Sequence, residues 1–161
     1  MHLADVAWTD VRDADTNLAL LPVGSTEQHG PHAPLGTDCL TADAVARAGV
    51  DASDRTVVVG PTIPVGVAAE HRRFDGTLWV SPDTFRAYVR ETVESLFAHG
   101  FDRVVVVNGH GGNVDALREV TAETTRAGEG YVVPFTWFES VDADELMGHG
   151  GALETALLRR V

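Results

Sequence analysis

Short apolar stretches alternate with amphipathic stretches along most of this chain. The apolar stretches are strand-sized and predict four buried β-strands, at 17–23, 55–65, 102–107 and 130–138. Between and after them, apolar residues recur at helical spacing and predict helices at 40–50, 81–100, 113–128 and 151–161. Ser81 and Asn113 are the predicted N-caps of the second and third of these helices. This alternation predicts an α/β fold in which helices cover both faces of a mainly parallel sheet.

The composition is that of one globular domain. Of 161 residues, 44% are hydrophobic and 22% charged, enough apolar material for a sizeable core. No repeat or linker divides the sequence, so we expect residues 1–161 to form a single domain. The apolar runs are too short to cross a bilayer, and the first residues do not resemble a secretion signal. The single cysteine, Cys39, fits a reducing cytoplasm, where we expect the protein to be located.

The charge balance narrows the range of partners. The net charge is −12, and all 12 basic residues are arginines. Such a surface repels nucleic acid and anionic membranes, so we expect neither as a partner. At low salt so many like charges would also repel one another and strain a compact fold, whereas concentrated salt screens this self-repulsion. This leads to the hypothesis that the protein works in a salt-rich, halophilic cytoplasm.

Polar side chains capable of chemistry follow each predicted strand. In chain order they are Glu27 and His29, Glu70 and His71, His110, and Trp137 and His149. Because the carboxyl ends of parallel strands meet at one edge of a sheet, we expect these side chains to lie close together.

Four residues at this edge have the chemistry of metal ligands. Glu27, His29 and His110 are joined by Asp38, which enters the first predicted helix from the same loop as Glu27 and His29. A mixed set of imidazoles and carboxylates is typical of Zn²⁺ or Mn²⁺ sites. With a bridging carboxylate there is room for two ions, which could activate water and stabilise an oxyanion.

Other interpretations of the same residues stay open. A histidine at a strand end, such as His110, often only hydrogen-bonds to the backbone. The stretch NGHGGN at 108–113 could instead cradle a phosphate, although Glu27 and Asp38 would repel it unless a metal neutralised them.

The remaining candidates each have a structural alternative. Cys39, beside a helix start, could be a thiolate nucleophile, but a small buried residue is the commoner case. His32 lies near two prolines and is expected to order its loop. His71, Arg72 and Trp137 are candidate contacts to a small-molecule amide substrate, although such arginines are often merely solvated and such tryptophans often belong to the core.

Three stretches resemble the signature motifs of the creatininase (creatinine amidohydrolase) family, in the family's order. They are LPVGSTEQHGPHAPLGTD at 21–38, NGHGGN at 108–113 and HGGALET at 149–155, and 70–85 is similar to the family's segment before its central helix. The resemblance implies a three-layer α/β/α sandwich and two divalent ions per chain (Zn²⁺, Mn²⁺ or Fe²⁺). It also implies hydrolysis of a non-peptide or cyclic C–N amide bond, and a homo-oligomer.

The resemblance also assigns roles to individual residues. The positions that match metal ligands are Glu27, His29, Asp38 and His110, with Asp38 bridging the two ions. His149 matches a histidine that helps proton transfer, and Glu154 matches the glutamate that follows it in the third motif.

Two departures from the family pattern affect the expected activity. In creatininase proper a glutamate ligand stands two residues after the histidine matching His110, whereas this chain has Gly112, so Glu154 is the expected replacement. The glycine version is more similar to relatives that deformylate a pyrimidine nucleotide or process a peptide-derived redox cofactor. Family members also continue beyond the third motif, so we expect a fragment or a shortened protein.

These observations predict a metal-dependent amidohydrolase. In it, His149 assisted by Glu154 delivers a proton to the leaving nitrogen. The alternative is a non-catalytic domain that keeps the fold and a structural or regulatory metal.

Overall fold

Four parallel strands form one sheet in a computed structural model that describes Met1 to Val161, apart from the side chain of Asp144. The strands are β1 (Leu18–Val23), β2 (Val58–Val59), β3 (Arg103–Asn108) and β4 (Tyr131–Thr136). Their order across the sheet is β2-β1-β3-β4, and each neighbouring pair is parallel. The prediction of a parallel sheet is confirmed.

Helices cover both faces of this sheet. They are α1 (Trp8–Arg12), α2 (Thr37–Asp51), α3 (Pro82–Ala98), α4 (Val114–Ala127) and α5 (Ala152–Leu158). Buried side chains of α3 and α4, such as Phe85 and Leu117, pack with Leu21 in the main core. Ala46 of α2 packs with Val59 and Val107 on the opposite face, and α5 packs against α2. The fold is therefore the expected three-layer α/β/α sandwich.

The structure differs from the predicted elements mainly at their ends. The second strand is only two residues long, because Pro61 and Pro64 offer no N–H to a neighbouring strand. The chain nevertheless stays beside β1, where Val23 and Ile63 form an isolated bridge. After β4 a short 3-10 helix takes up Trp137–Ser140, which the sequence had placed partly in the strand.

Helix starts decide where two site residues lie. Helix α2 begins at Thr37, earlier than predicted, so Asp38 stands in its first turn and is buried. The predicted cap of α3 is confirmed, since Ser81 Oγ accepts a hydrogen bond from the Thr84 amide over 3.2 Å. Asn113 occupies the N-cap position of α4, but its side chain makes no capping hydrogen bond. The predicted capping role of Asn113 is therefore wrong.

Membrane insertion depends on the length and the hydropathy of the helices. Among the residues that the structure describes, no helix combines the length and the apolar character needed to cross a bilayer.

Candidate metal centre

The loops that follow β1 and β3 leave the sheet side by side. Val23 pairs with Asn108 at the carboxyl ends of the two strands. Glu27 and His29 lie in the loop after β1, and His110 lies two residues beyond β3. The parallel register thus brings side chains distant in sequence to one place.

Asp38 lies at the centre of the resulting cluster. His29 Nε2 lies 2.9 Å from Asp38 Oδ1, and His110 Nδ1 lies 3.1 Å from Asp38 Oδ2. His110 Nδ1 is also 3.0 Å from Glu27 Oε1. Two groups of potential ligands therefore share Asp38, one with Glu27 and His110 and the other with His29 and Glu154.

Backbone carbonyls fix which nitrogen of each imidazole faces the cluster. His110 Nε2 donates to the carbonyl oxygen of Val67 over 2.8 Å, which leaves Nδ1 towards Glu27 and Asp38. His29 Nδ1 donates to the carbonyl oxygen of Glu27 over 3.1 Å, which leaves Nε2 towards Asp38. A backbone hydrogen bond on the outer nitrogen is the usual way in which a protein orients a ligating histidine.

Several atoms at the centre are buried without a hydrogen-bond partner among the described residues. They are Glu27 Oε1, His29 Nε2 and Asp38 Oδ2. Each lies within 3.1 Å of an ionisable neighbour, at the distance of an ion pair. Buried polar atoms without partners are costly, so their convergence needs an explanation. The donor set, imidazole nitrogens and carboxylate oxygens, fits a divalent transition metal.

The charges in the cluster show how it is held together without a cation. Burial lowers the pKa of His110, but the adjacent carboxylates of Asp38 and Glu27 outweigh burial and raise it to about 10. Burial likewise raises the pKa of Asp38, but the two imidazoles outweigh burial and lower it. His110 is therefore a buried imidazolium between carboxylates, where its proton supplies the positive charge that a metal ion would bring.

Glycine at position 112 is required by close packing of the backbone. A Cβ atom there would lie 2.5 Å from His110 Nε2 and in closer contact still with the Val67 carbonyl oxygen. No side chain can stand at Gly112 unless the carbonyl that orients His110 moves.

Glu154, in the first turn of α5, approaches the cluster from the other side. Its Oε2 atom is 3.9 Å from His29 Nε2 and accepts a hydrogen bond of 2.6 Å from the Gly150 amide. Burial raises the pKa of the Glu154 carboxyl.

His149 lies between the imidazole rings of His29 and His71. The ring centroids are 4.3 Å apart for His29 and His149 and 4.4 Å apart for His71 and His149. His149 Nδ1 is 3.6 Å from Glu27 Oε1, and His71 Nδ1 is 3.0 Å from Glu27 Oε2. Glu27, His71 and His149 thus form a third group whose ligand atoms lie within 4.8 Å of one another.

Two buried asparagines hold the loops that carry these residues. Asn108 accepts from the His110 amide over 3.1 Å and donates to its carbonyl over 2.8 Å. Asn113 accepts from the Val67 amide over 3.0 Å and donates to the Gly24 carbonyl over 3.1 Å. Asn113 therefore ties together the loops after β1, β2 and β3.

The cluster forms the floor of a cavity of about 270 Å³. Besides candidate ligands, described residues that line it include Glu70, His71, Phe138, Met147 and His149. Arg72 and Trp137 are not among the lining residues: the Arg72 guanidinium donates to the Ala69 carbonyl, and Trp137 is buried.

Sequence reasoning passed over several of these residues. Phe138 and Met147 directly adjoin Trp137 and the glycine-rich stretch around His149, so their neighbourhood was the signal. Gln28, between two candidate ligands, was also passed over, although its side-chain nitrogen lies 3.0 Å from His149 Nε2.

Cys39 takes no part in the cluster. Its Sγ donates to the Ser25 carbonyl over 3.4 Å. Burial, reinforced by the negative charge of Asp38, raises the pKa of the Cys39 thiol to about 12. The thiol is therefore protonated at neutral pH, which favours the structural interpretation of this residue.

The fold and the site together define an α/β/α protein with a carboxylate–imidazole cluster suited to divalent metals at the carboxyl edge of its sheet. Residues 4–161 match the family model of creatininase, described as creatinine amidohydrolase. The chain belongs to the creatininase family, as the motifs indicated.

One relative with a similar sequence is named as a peptidase. Over 153 residues the chain is 39% identical to a mycofactocin precursor peptide peptidase of Mycolicibacterium smegmatis, covering 89% of this chain and 58% of that protein. The chain thus spans little more than half the length of that relative.

Solved structures show the same fold. A mutant creatininase complexed with creatine superposes with a TM-score of 0.82 at 25% identity, covering 98% of this chain and 70% of that chain. A structure described as creatininase Mn matches with a TM-score of 0.82 at 24% identity, covering 98% of this chain and 71% of that chain.

Proposed function

We propose that this chain carries the metal centre of a hydrolase that cleaves a C–N amide bond. The observation that carries the proposal is the Asp38-centred cluster, with its buried and unpartnered ligand atoms. Membership of a family named for an amidohydrolase supports it.

Two divalent ions per chain are the expected cofactors. Glu27, Asp38 and His110 would hold one ion, and His29, Asp38 and Glu154 the other. Zn²⁺, Mn²⁺ and Fe²⁺ all accept such ligands. When bound, such ions lower the pKa of water and polarise a carbonyl group, which is the chemistry that amide hydrolysis needs.

We assign to His149 the proton transfer that hydrolysis requires. In amide hydrolysis water adds to the carbonyl carbon, the C–N bond breaks, and a proton passes to the leaving nitrogen. The His149 side chain lines the cavity and is 35% exposed, so it can meet a substrate. Glu154 is joined to the same loop through the Gly150 amide, which places its carboxyl close to His149.

The charges of the cavity favour a peptide-derived substrate over a nucleotide. No arginine is among the described lining residues, and Glu70, which belongs to none of the proposed ligand groups, adds a further carboxylate to the lining. With the ligand carboxylates neutralised by metal ions, a phosphate group would still face Glu70 and would find no arginine to pair with, whereas a neutral amide or an ammonium group would not be repelled. The peptidase named among the relatives also acts on a peptide. We therefore replace the expectation of a non-peptide bond with an amide bond in a short peptide or peptide-derived compound.

The test is turnover by protein loaded with Zn²⁺ or Mn²⁺. Purified protein would be given short peptides and N-formyl compounds, each with and without a phosphate group, and amine release would be followed. We expect hydrolysis of an unphosphorylated amide and no faster reaction of its phosphorylated counterpart.

The control is the Asp38→Asn variant under the same conditions. Turnover that survives in this variant would contradict the metal-centred proposal. Full metal loading without turnover of any compound would instead favour the non-catalytic, metal-binding alternative.

A homo-oligomeric state and a cytoplasmic location remain predictions. Light scattering during size-exclusion chromatography measures the molar mass of the protein and so tests the oligomeric state.

A further inference from the structure

The loop that carries His149, residues 147–151, lies against the loop that follows β1. Within this His149 loop, Gly148 has φ +154° and Gly150 has φ +65°, conformations that residues with side chains rarely adopt. A Cβ atom on Gly150 would lie 3.1 Å from the carbonyl oxygen of His29. The glycines therefore let this loop approach the backbone of a candidate metal ligand.

Two hydrogen bonds join the loop that follows β1 to the His149 loop. His149 Nε2 donates to the carbonyl oxygen of Gln28, which leaves His149 Nδ1 towards Glu27. His32 Nε2 donates to the carbonyl oxygen of Gly150 over 3.1 Å. The same nitrogen of His32 lies 3.5 Å from Thr155 Oγ1, in the first turn of α5.

These contacts restrain the segments that carry His149 and Glu154, the two residues proposed to transfer the proton. Gly150, whose carbonyl His32 binds, adjoins His149 and donates its amide to Glu154. Thr155 adjoins Glu154 and donates to the Gly151 carbonyl over 2.8 Å. The His32 imidazole therefore contacts Gly150, next to His149, and Thr155, next to Glu154, and restrains the backbone at both places.

We propose that His32 is a positioning residue that fastens the His149 loop and the start of α5 over the metal centre. Its catalytic consequence rests on the proposed function, whereas its effect on the loop does not. His32 does not line the cavity, so the proposal gives it no contact with substrate.

The test compares His32→Ala with His32→Gln and with His99→Ala in protein loaded with Zn²⁺. Gln can still donate an N–H to the Gly150 carbonyl, and His99 is an exposed histidine at the end of α3. Hydrogen exchange of the Gly150 and Gly151 amides, followed by NMR without substrate, reports on the loop directly.

In His32→Ala we expect exchange of these amides to be about fivefold faster, the effect of losing one hydrogen bond. Metal content should be unchanged, and kcat should fall several-fold with a smaller change in KM. In His32→Gln both the amide exchange and kcat should return most of the way to the wild-type values, and His99→Ala should change neither.

Unchanged exchange in His32→Ala would overturn the proposal, as would loss of metal from that variant. Because exchange is measured without substrate, it decides the role of His32 even if the wild-type protein hydrolyses none of the compounds. Lack of turnover by the wild-type protein would count against the proposed function alone.

Discussion

His110 donates its Nε2 proton to the carbonyl oxygen of Val67 over 2.8 Å, and this bond directs Nδ1 to the carboxylates of the cluster. In the metal-free protein Nδ1 therefore also carries a proton, with the pKa of His110 raised to about 10. A metal ion that binds at Nδ1 has to displace this proton.

Metal affinity should therefore increase with pH. The unfolded pKa of His110 is 6.5 and the folded value about 10, so the imidazolium stabilises the metal-free fold fully below pH 6.5 and ceases to do so as the pH rises through 10. Within this window, affinity for Zn²⁺ should rise about tenfold per pH unit for the one proton displaced. Competition with a chelating dye at several pH values measures it, and a flat profile would contradict the assignment.

Asp38→Asn and His110→Ala should each lose metal and activity together, because each removes a proposed metal ligand. We expect turnover to fall by more than about 100-fold, beyond the usual effect of residues outside the ligand set. Metal analysis after loading and dialysis checks the first effect. Glu119→Gln, which removes only an exposed ion pair with Arg86, is the matched control. Normal metal content in either ligand variant would mean that the residue is misassigned.

His149→Ala should keep its metals and lose rate. Removal of a positioned acid or base costs roughly 10²–10⁴-fold, mostly in kcat, because the proton moves in the transition state. A substrate with a better leaving group should lose less, since it needs less protonation. If the variant loses a metal ion instead, His149 is a ligand, which its position with Glu27 and His71 would permit.

The Cys39 thiol should react slowly with alkylating reagents. Burial, reinforced by the charge of Asp38, raises its pKa to about 12, so iodoacetamide should modify the folded protein at pH 8 far more slowly than the denatured protein. Cys39→Ala should leave turnover essentially intact. A large loss of turnover would restore the thiolate hypothesis.

Salt should stabilise the fold. The chain carries 24 acidic residues against 12 arginines, and molar salt shortens the range of their repulsion to about 3 Å. The melting temperature should rise by several degrees from low to molar KCl. An unchanged midpoint across that range would remove the halophilic hypothesis.

Local signals in the sequence predicted most of the sheet and its long helices. Strand β3 is built around the apolar run 104–107, and α3 has Ser81 at its start and a glycine, Gly100, in the left-handed region after its end. The sequence predicts a longer β2 than the structure has, because the apolar pattern continues past Pro61, where the prolines interrupt the ladder and leave only the isolated bridge between Val23 and Ile63.

The candidate site could be predicted only as far as topology reaches. Parallel strands bring Glu27, His29 and His110 to one edge, which the sequence indicated. Asn113 was read as a helix cap because that signal is local, whereas its actual partners, Val67 and Gly24, are distant in sequence. The close contact that requires glycine at position 112 is likewise invisible without the fold.

The position of Glu154 in α5 has a consequence for the order in which the chain is made. Glu27, Asp38 and His110 are encoded together with β1, β2 and β3. All three residues of the first ligand group have therefore been synthesised once residue 110 has been added. The second group shares Asp38 but waits for α5 to be synthesised and to dock on α2. Because a domain generally folds as one unit, neither group is expected to reach its final geometry before α5 has been synthesised, which makes the last helix necessary for both ion sites.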